Sequence, residues 1–523
     1  MTTRRVLDLL RRYESRNVTF IEPDDSWPIV WKRAQGVHVW DAEGRKYLDL
    51  TAAFGVAAAG HANPRVVRAG QKQMVTLLHA MGDVHPHALK AELACELSRI
   101  TFGRWTDAKS KVRSPKSNVS TASAKTIFCN SGFEAVEAAL KTAMLTTGRR
   151  GIIAFAGAYH GLGYGALNAT HRGHFRAPFR SQLGEFGYFV PFPRSRGNPY
   201  VSLPSRRLKA VPIPAEANDD DEKLQTRSSS LPLLGPRTES RRKTESTWAG
   251  VRASQSQHAG PIIEDNQRPG EARETLRGLE SQIRSVLQRE KIGAILVEPI
   301  QLRGGVNVPP AGFLPLLRRL CNEHDALLIL DEIYTGFGRT GKWFACEHSG
   351  TVPDIVCLGK ALTGGFPLSA CVGRADLMDG AWPPSAGEAI HTSTFLGHPV
   401  GCAMALAQIK EIARLKLVQR SAKFGSTLCE TLVRLAARKS GLTLLARGAG
   451  LLAGLELRHP DGSPATNTAI RIVKNMLHRG FILLPEGEHS NVISFTPPLT
   501  VTEQQLRQTV HALAEELEQG LPA

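Results

Sequence analysis

Ala326-Leu-Leu-Ile-Leu-Asp331-Glu332-Ile-Tyr334-Thr-Gly-Phe-Gly-Arg339, with Cys357-Leu-Gly-Lys360-Ala-Leu after it, is the stretch whose reading decides the fold. An apolar run of strand length delivers Asp331 to its carboxyl end. A second short run, Ile355-Val-Cys-Leu, delivers Lys360 in the same way. An acid and a lysine at adjacent strand ends suit one kind of chemistry. The lysine amine holds an aldehyde as a Schiff base, while the acid keeps a ring nitrogen protonated so that the ring withdraws electrons. Either residue alone carries little weight, since an acid after a buried strand also serves as a cap and Gly-Lys is a common dipeptide.

The 523 residues suffice for more than one core, so two domains with appendages are expected. No apolar run approaches the ~18 residues needed to span a membrane. In the arginine-rich start, residues 1–18, Val6-Leu-Asp-Leu-Leu is too short for a secretory signal, and Asp8 and Glu14 argue against a transit peptide. Eight cysteines show neither a CxxC pair nor zinc-ligand spacing. Reduced, mostly buried thiols in a cytoplasmic protein without a metal site are expected.

The formal charge of +17 raises the question of nucleic acid. Segments 1–18, 107–125 and 194–252 carry +3, +4 and +5, which is 12 of the 17 charges, and the chemistry-bearing motifs lie outside all three. The excess belongs to tails and loops without the aromatic interleaving of single-strand binders. Neither a specific nucleic-acid partner nor a membrane is expected.

Around the central stretch the elements follow in order. Residues 36–50 read as a β-hairpin turning at Asp41-Ala-Glu-Gly44, and residues 51–64 as a Gly/Ala-rich loop. Helices are expected from 64 to about 79, with Asn63 as cap and Pro64 at the first position, and from 86 to about 101. Residues 107–125 and 191–270, rich in Ser, Pro and basic side chains, read as insertions with little fixed structure. Thr126-Ile-Phe-Cys-Asn-Ser131-Gly132-Phe133-Glu134 is a strand running into a helix, with capping-box spacing at Ser131 and Glu134. The free N–H groups of such a junction make a phosphate site.

Strand Gly151-Ile-Ile-Ala-Phe155 leads into Gly157-Ala-Tyr159-His160-Gly161-Leu-Gly163-Tyr-Gly165. This cluster is out of step for GxGxxG and no helix is expected after it. It reads as a loop carrying Tyr159 to the mouth of the sheet, where the ring can stack on a planar cofactor. A helix over 275–290 and the strand Ala294-Ile-Leu-Val-Glu298 complete the pattern before the central stretch. From Pro399 the chain changes to a long helix, a second around 428–435, and strands near 450–457 and 491–495.

Gly336-Phe-Gly-Arg-Thr-Gly341-Lys342 satisfies GxxxxGK, but Trp343 stands where magnesium needs Ser or Thr, and the acid-bearing strand precedes the loop. A nucleotide hydrolase is rejected on those grounds.

As an ordered set, FCNSGFEAVEAALK, GAYHG, ILVEPIQ, LILDEIYTGFGRTG, PDIVCLGKALTGGFP and HTSTFLGHP resemble the class III aminotransferases of pyridoxal phosphate fold type I. The resemblance covers roughly residues 17–105, 126–190 and 275–515. It implies an α/β fold with a large cofactor-binding domain (71–385) built on a mostly parallel central sheet flanked by helices. A smaller α+β C-terminal domain (386–523) follows, joined by an N-terminal segment (1–70) with its hairpin.

The implied cofactor is pyridoxal 5′-phosphate. Lys360 matches the Schiff-base lysine and Asp331 the partner of the pyridine nitrogen. Ser131, Gly132 and Phe133 match the phosphate cradle, and Tyr159 the stacking aromatic with His160 beside it. Glu298 and Tyr334 are further cofactor neighbours by the same resemblance. Thr394 matches a residue that reaches the phosphate of the neighbouring subunit, which implies a homodimer with shared active sites. The implied reaction is ping-pong transfer of an amino group from an amino acid or ω-amine donor to a keto acid. An aminomutase or amino-acid epimerase of the same fold is the alternative.

Three departures bear on substrate. Members acting on ornithine or acetylornithine usually have Gln at the position of Tyr334, an acid at that of Arg303, and Arg at that of Ser494. Arg303 is therefore expected to meet a substrate carboxylate from the opposite wall, with Ser494 and Phe54 as the other substrate-side residues.

Overall fold

A computed structural model describes residues 1–24, 26–107, 123–195, 269–438 and 441–519. Most of the two expected insertions, residues 108–122 and 196–268, lies outside the described residues. The hairpin forms from β1 (Trp31–Gln35), β2 (His38–Asp41) and β3 (Lys46–Asp49). A seven-stranded sheet follows, made of β4 (Ala124–Cys129), β5 (Gly151–Phe155), β6 (Gly187–Val190), β7 (Ile292–Val297), β8 (Leu327–Asp331), β9 (Ile355–Leu358) and β10 (Ser369–Arg374). Its order is β4-β10-β9-β8-β7-β5-β6, and only β10 runs against its neighbours. Further on, β11 (Thr443–Ala449), β12 (Leu452–Arg458), β14 (Leu484–Glu486) and β15 (Val492–Phe495) form a four-stranded antiparallel sheet. Between them β13 (Phe481–Ile482) leaves to pair in parallel with β3, so a C-terminal strand completes the N-terminal sheet.

The unbroken apolar runs of the central sheet have a simple cause. Strands β5, β7, β8 and β9 are buried along their whole length, as parallel strands covered on both faces must be. Alternate residues serve opposite faces. Ala294, Leu296 and Ile329 pack with Ala135, Ala139 and Leu140 of the helix Gly132–Thr147. Ile295, Val297 and Leu330 pack with Phe313, Leu317 and Ile283 of the helices Phe313–Glu323 and Pro269–Arg289.

Several boundaries differ from expectation. Strand β4 begins at Ala124, because Lys125 and Ala124 still pair with Gly373 and Arg374 of β10; the polar flank had concealed two strand residues. A helix does follow the glycine cluster, over Tyr164–Ala169, with Glu137 of a neighbouring helix accepting the Ala166 N–H at 2.9 Å. Six residues are too few to show a helical period. The helix expected over 275–290 starts earlier, at Pro269, and the one around 428–435 extends over Leu417–Ala436. Pro64–Thr76 is capped as expected, Asn63 Oδ1 accepting from the Arg65 and Val66 N–H groups. Ala88–Ser98 runs on into a wider π turn at Arg99–Gly103. Cys95 is exposed and the other seven cysteines are buried. Among the described residues no helix is long and apolar enough to cross a membrane, and no group of His, Cys, Asp or Glu is placed to hold a metal.

The GxxxxGK loop has a structural duty instead of a phosphate. Arg339, 2 % exposed, donates through Nη1 to the carbonyls of Leu451 (3.0 Å) and Pro497 (2.5 Å), and Ser421 Oγ donates back to its carbonyl at 2.8 Å. Burial draws its pKa down to about 10. The loop after β8 is thereby tied to the C-terminal sheet and the chain beyond it. Replacing Arg339 with Leu leaves both carbonyls without a donor, at about 1–3 kcal/mol each. The variant is expected to lose about 2–4 kcal/mol of unfolding free energy in urea titration.

Candidate active site

Because β10 is antiparallel to both β4 and β9, strand β4 runs with the parallel set. The carboxyl ends of β4, β5, β7, β8 and β9 therefore share one edge, which is where ligands bind in sheets of this kind. Asp331 is the last residue of β8, and Ser131, Tyr159, Glu298 and Lys360 follow the other four ends.

Asp331 ends β8 in register with Cys357 of β9, three residues before Lys360. Its Oδ2 lies 2.8 Å from His160 Nδ1, and its Oδ1 accepts the Ile333 N–H at 3.1 Å. His160 is buried, and its backbone N–H donates to Thr170 Oγ1 at 3.0 Å. Lys360 follows Gly359 with φ at 43°, a left-handed conformation that a lysine adopts only when the surroundings hold it. Its Nζ lies 4.8 Å from the centroid of the Tyr334 ring. Desolvation lowers the lysine pKa from 10.5, and the Asp331 and Glu298 carboxylates oppose that fall.

Glu298, at the end of β7, accepts the Tyr159 N–H at 3.0 Å. Burial raises its pKa to about 7, His160 opposing and Asp331 adding to the rise. The Tyr159 ring meets Phe175 edge-on at 5.5 Å, and the Arg303 guanidinium lies 5.6 Å from its centroid. Tyr334 shares a 3.2 Å hydrogen bond with Thr496 Oγ1, which itself donates to the Thr51 carbonyl at 3.1 Å.

At the end of β4, the Glu134 half of the capping box carries the hydrogen bonds. Its short bonds run from the Asn130 and Ser131 N–H groups to Glu134, at 2.6 and 3.1 Å. The Ser131 hydroxyl keeps no partner. Phe133 is directly overlain by the glycine loop: a Cβ on Gly161, whose φ is 118°, would come within 2.2 Å of the Phe133 Cβ. Gly132 and Phe133 are the first two residues of a 16-residue helix, whose leading N–H groups have no partner within the helix.

The substrate-side expectations land differently. Arg303 sits on a short bridge closed by Gln301 and Asn307 and held by the Asn307 side chain on Gln301 Oε1 (3.0 Å) and the Gly304 carbonyl (2.9 Å). It is 31 % exposed and pairs at 3.2 Å with Glu486, which is 3 % exposed. Burial raises the Glu486 pKa, and Arg303 opposes the rise. Ser494 is buried with its hydroxyl committed to the Leu484 carbonyl at 3.1 Å. Thr394 is exposed, next to Ser393, which accepts from Asn130 Nδ2 at 3.4 Å.

Phe54, 52 % exposed, lies in a turn whose residues Ala52, Ala53, Phe54 and Gly55 all have positive φ, at 48°, 48°, 62° and 80°. Left-handed angles cost an L-residue about 1–2 kcal/mol each, so this turn is held from outside. Glu486 and the supports of the Phe54 turn were not foreseen. Glu486 is 183 positions from Arg303, and no local pattern marks it.

The residues fit pyridoxal 5′-phosphate on grounds internal to the structure. Two buried polar atoms in this group, Ser131 Oγ and His160 Nε2, have no hydrogen-bond partner. One lies at a helix start suited to phosphate and the other beside the acid. Buried polar groups without partners are uncommon and point to a ligand or water that completes them.

The family profile described as aminotransferase class-III matches residues 20–210 and 237–517, and the chain belongs to that family. It is 31% identical to the 5-aminovalerate aminotransferase DavT of Pseudomonas aeruginosa over 490 residues, 93% of each chain. It is 30% identical to the acetylornithine aminotransferase of Methanosarcina mazei over 488 residues, 93% of this chain and 91% of that one. An amine transaminase from an uncultivated Pseudomonas species, solved in its PLP-bound form, superposes with a TM-score of 0.74 at 25% identity, covering 97% of this chain and 98% of that one. The protein is thus a pyridoxal 5′-phosphate-dependent aminotransferase, and the relatives give the aminomutase and epimerase alternative no support.

The depressed lysine pKa gives a direct expectation. Only the neutral amine captures an aldehyde, so capture of added pyridoxal 5′-phosphate by the apoprotein rises with pH to a midpoint below 10.5. Stopped-flow absorbance reads this midpoint. Lys360→Arg is expected to bind the cofactor without any borohydride-fixed adduct.

Proposed function

We propose that this aminotransferase takes a donor with an amine at one end and a carboxylate at the other, with Lys360, Asp331 and Arg303 as its three fixed points. The observation that carries this reading is the Arg303 guanidinium 5.6 Å from the centroid of the Tyr159 ring. The Glu486 contacts at 3.2 and 3.3 Å both fall on Nη1, which leaves Nη2 for a substrate carboxylate. The likeness to a 5-aminovalerate aminotransferase supports a donor of this class.

When bound, pyridoxal 5′-phosphate supplies an aldehyde that condenses with amines and a ring that withdraws electrons. Ser131, Gly132 and Phe133 would hold the phosphate, and Tyr159 would supply an aromatic surface for the ring. Asp331, oriented by His160 and the Ile333 N–H, keeps a proton on the pyridine nitrogen. Lys360 anchors the cofactor, gives way to the donor amine, and then carries a proton from the donor's reacting carbon as a general base. Its lowered pKa makes the neutral amine more available for that work. The donor product leaves before the keto acid enters, and the same groups act in reverse order.

Removing the cation should cost a charge-assisted hydrogen bond of about 1.5–3 kcal/mol, or roughly 10- to 150-fold in binding. Arg303→Ala is expected to raise KM for 5-aminovalerate by about that factor while kcat for a simple alkyl monoamine stays near wild type. Equal losses on both donors would mean that Arg303 serves only the loop.

We also propose that two copies assemble with Thr394 of each reaching the other's phosphate site. Met74, Val75, Leu77, Leu78, Met81 and Phe395 are exposed apolar side chains on segments that meet where His79 packs against Phe395 at 5.4 Å. A patch of this kind marks an interface. In the same reading residues 71–385 and 386–523 are the large and small domains, residues 1–70 join the latter, and the buried thiols stay reduced in the cytoplasm. Mixing Lys360→Ala with Thr394→Ala subunits then reconstitutes one intact site per hybrid. Activity above that of either parent is expected after subunit exchange, and none if each chain is self-sufficient.

A further inference from the structure

We infer that Asp49 is a positioning residue for substrate: with Thr51 and His61 it locks the left-handed turn Ala52–Gly55, and that turn presents Phe54 to the donor's alkyl chain. The inference rests on the reading of Phe54 as a substrate-side residue.

Asp49 ends β3, is fully buried, and spends both carboxylate oxygens. Oδ1 accepts the Thr51 N–H at 2.7 Å and the Thr51 hydroxyl at 2.6 Å. Oδ2 meets His61 Nε2 at 2.7 Å and accepts the Ala53 N–H at 3.3 Å. Thr51 Oγ1 takes the same Ala53 N–H at 3.1 Å, so that amide is clamped by the carboxylate and by the hydroxyl the carboxylate holds. The Gly55 N–H closes the turn on the Thr51 carbonyl at 2.8 Å. That carbonyl also accepts from Thr496, which is bonded to the Tyr334 hydroxyl.

The other side of the turn is the catalytic cleft. A Cβ on Gly55 would come within 2.9 Å of Tyr334 Cε1, so the turn lies flat against the ring that faces the Lys360 ammonium. The only large side chain the turn carries is Phe54, and that side chain is left exposed. Three consecutive non-glycine residues with positive φ do not arise for packing alone, since the side chains of Ala52 and Ala53 would pack as well on ordinary backbone. What the left-handed path changes is the direction of Phe54. Without the carboxylate the turn relaxes and the phenyl ring is re-aimed.

The test is a double-mutant cycle on the holoenzyme with Asp49→Asn and Phe54→Ala, using 5-aminovalerate and the shorter β-alanine as donors. Each single variant is expected to raise KM for 5-aminovalerate by about fivefold or more, with little change for β-alanine and with kcat and the bound-cofactor absorbance near wild type. In the Phe54→Ala background the Asp49→Asn penalty should vanish, because both act through one side chain. Additive penalties would overturn the inference. So would an Asp49→Asn protein that loses cofactor or kcat without a shift in KM, or one that changes only the dimer dissociation constant. Should Asp49→Asn fail to fold, Thr51→Val replaces it in the cycle with the same expected non-additivity. A wild-type holoenzyme that transaminates neither donor would sink the functional reading, and this inference with it.

Discussion

Asp331 places a carboxylate at the end of a strand that is buried along its whole length. A charge there is costly unless hydrogen bonds and an opposite charge compensate it, and much of the surrounding structure consists of that compensation. His160 is fixed by a glycine-rich loop after β5, and that loop can lie flat only because Gly161 has no side chain to strike Phe133. The Ile333 N–H comes from the chain's immediate turn after β8. The next acid, Glu332, is itself buried and ties the returning chain by accepting the Ala345 and Cys346 N–H groups, both at 2.8 Å. One charged group thus dictates the course of the chain on both sides of it.

The same low-dielectric edge sets the titration of its neighbours. Glu298 is raised to about 7 because burial outweighs the help it receives from His160, and Asp331 is close enough to add repulsion. Lys360 moves the other way for the same reason, its ammonium losing water faster than the carboxylates replace it. An acid whose pKa is raised and a base whose pKa is lowered stand closer in proton affinity than the free groups do, which favours the proton-moving role proposed for Lys360. The shifts arise from position alone, since every group stands at the end of a buried strand.

What the sequence made legible follows the same division. Asp331 and Lys360 were readable because a fully buried parallel strand leaves an unbroken apolar signature, and the residue after it must sit at the edge. Ser131 with Glu134 was readable because a helix start has local chemistry. The helix Tyr164–Ala169 was hidden by its glycines and its length, and Ala124 and Lys125 of β4 by a polar flank that pairs only with distant β10. Glu486 and the Asp49 clamp were hidden more deeply. Their partners lie across tertiary contacts, and the left-handed turn uses alanines where sequence rules lead one to expect glycine.

The Arg303–Glu486 pair shows how a hidden partner changes the meaning of a visible residue. Relatives of the ornithine type carry an acid where Arg303 stands and an arginine where Ser494 stands, so sequence alone suggests a lost pair. Ser494 cannot substitute for that arginine, because its hydroxyl is spent on the Leu484 carbonyl. Glu486 lies two residues further along β14 than Leu484, the partner of Ser494 across the ladder, and it supplies an acid on that same wall. Both charges are therefore present with their walls exchanged: the cation rises from the loop after β7 and the anion from the C-terminal sheet. The guanidinium lies 5.6 Å from the centroid of the Tyr159 ring and 3.2 Å from Glu486, so the cation and its buried anion meet at one point of the cleft. In the proposed reading the guanidinium fixes the carboxylate end of a two-ended donor, and Lys360 fixes the position of the reacting amine.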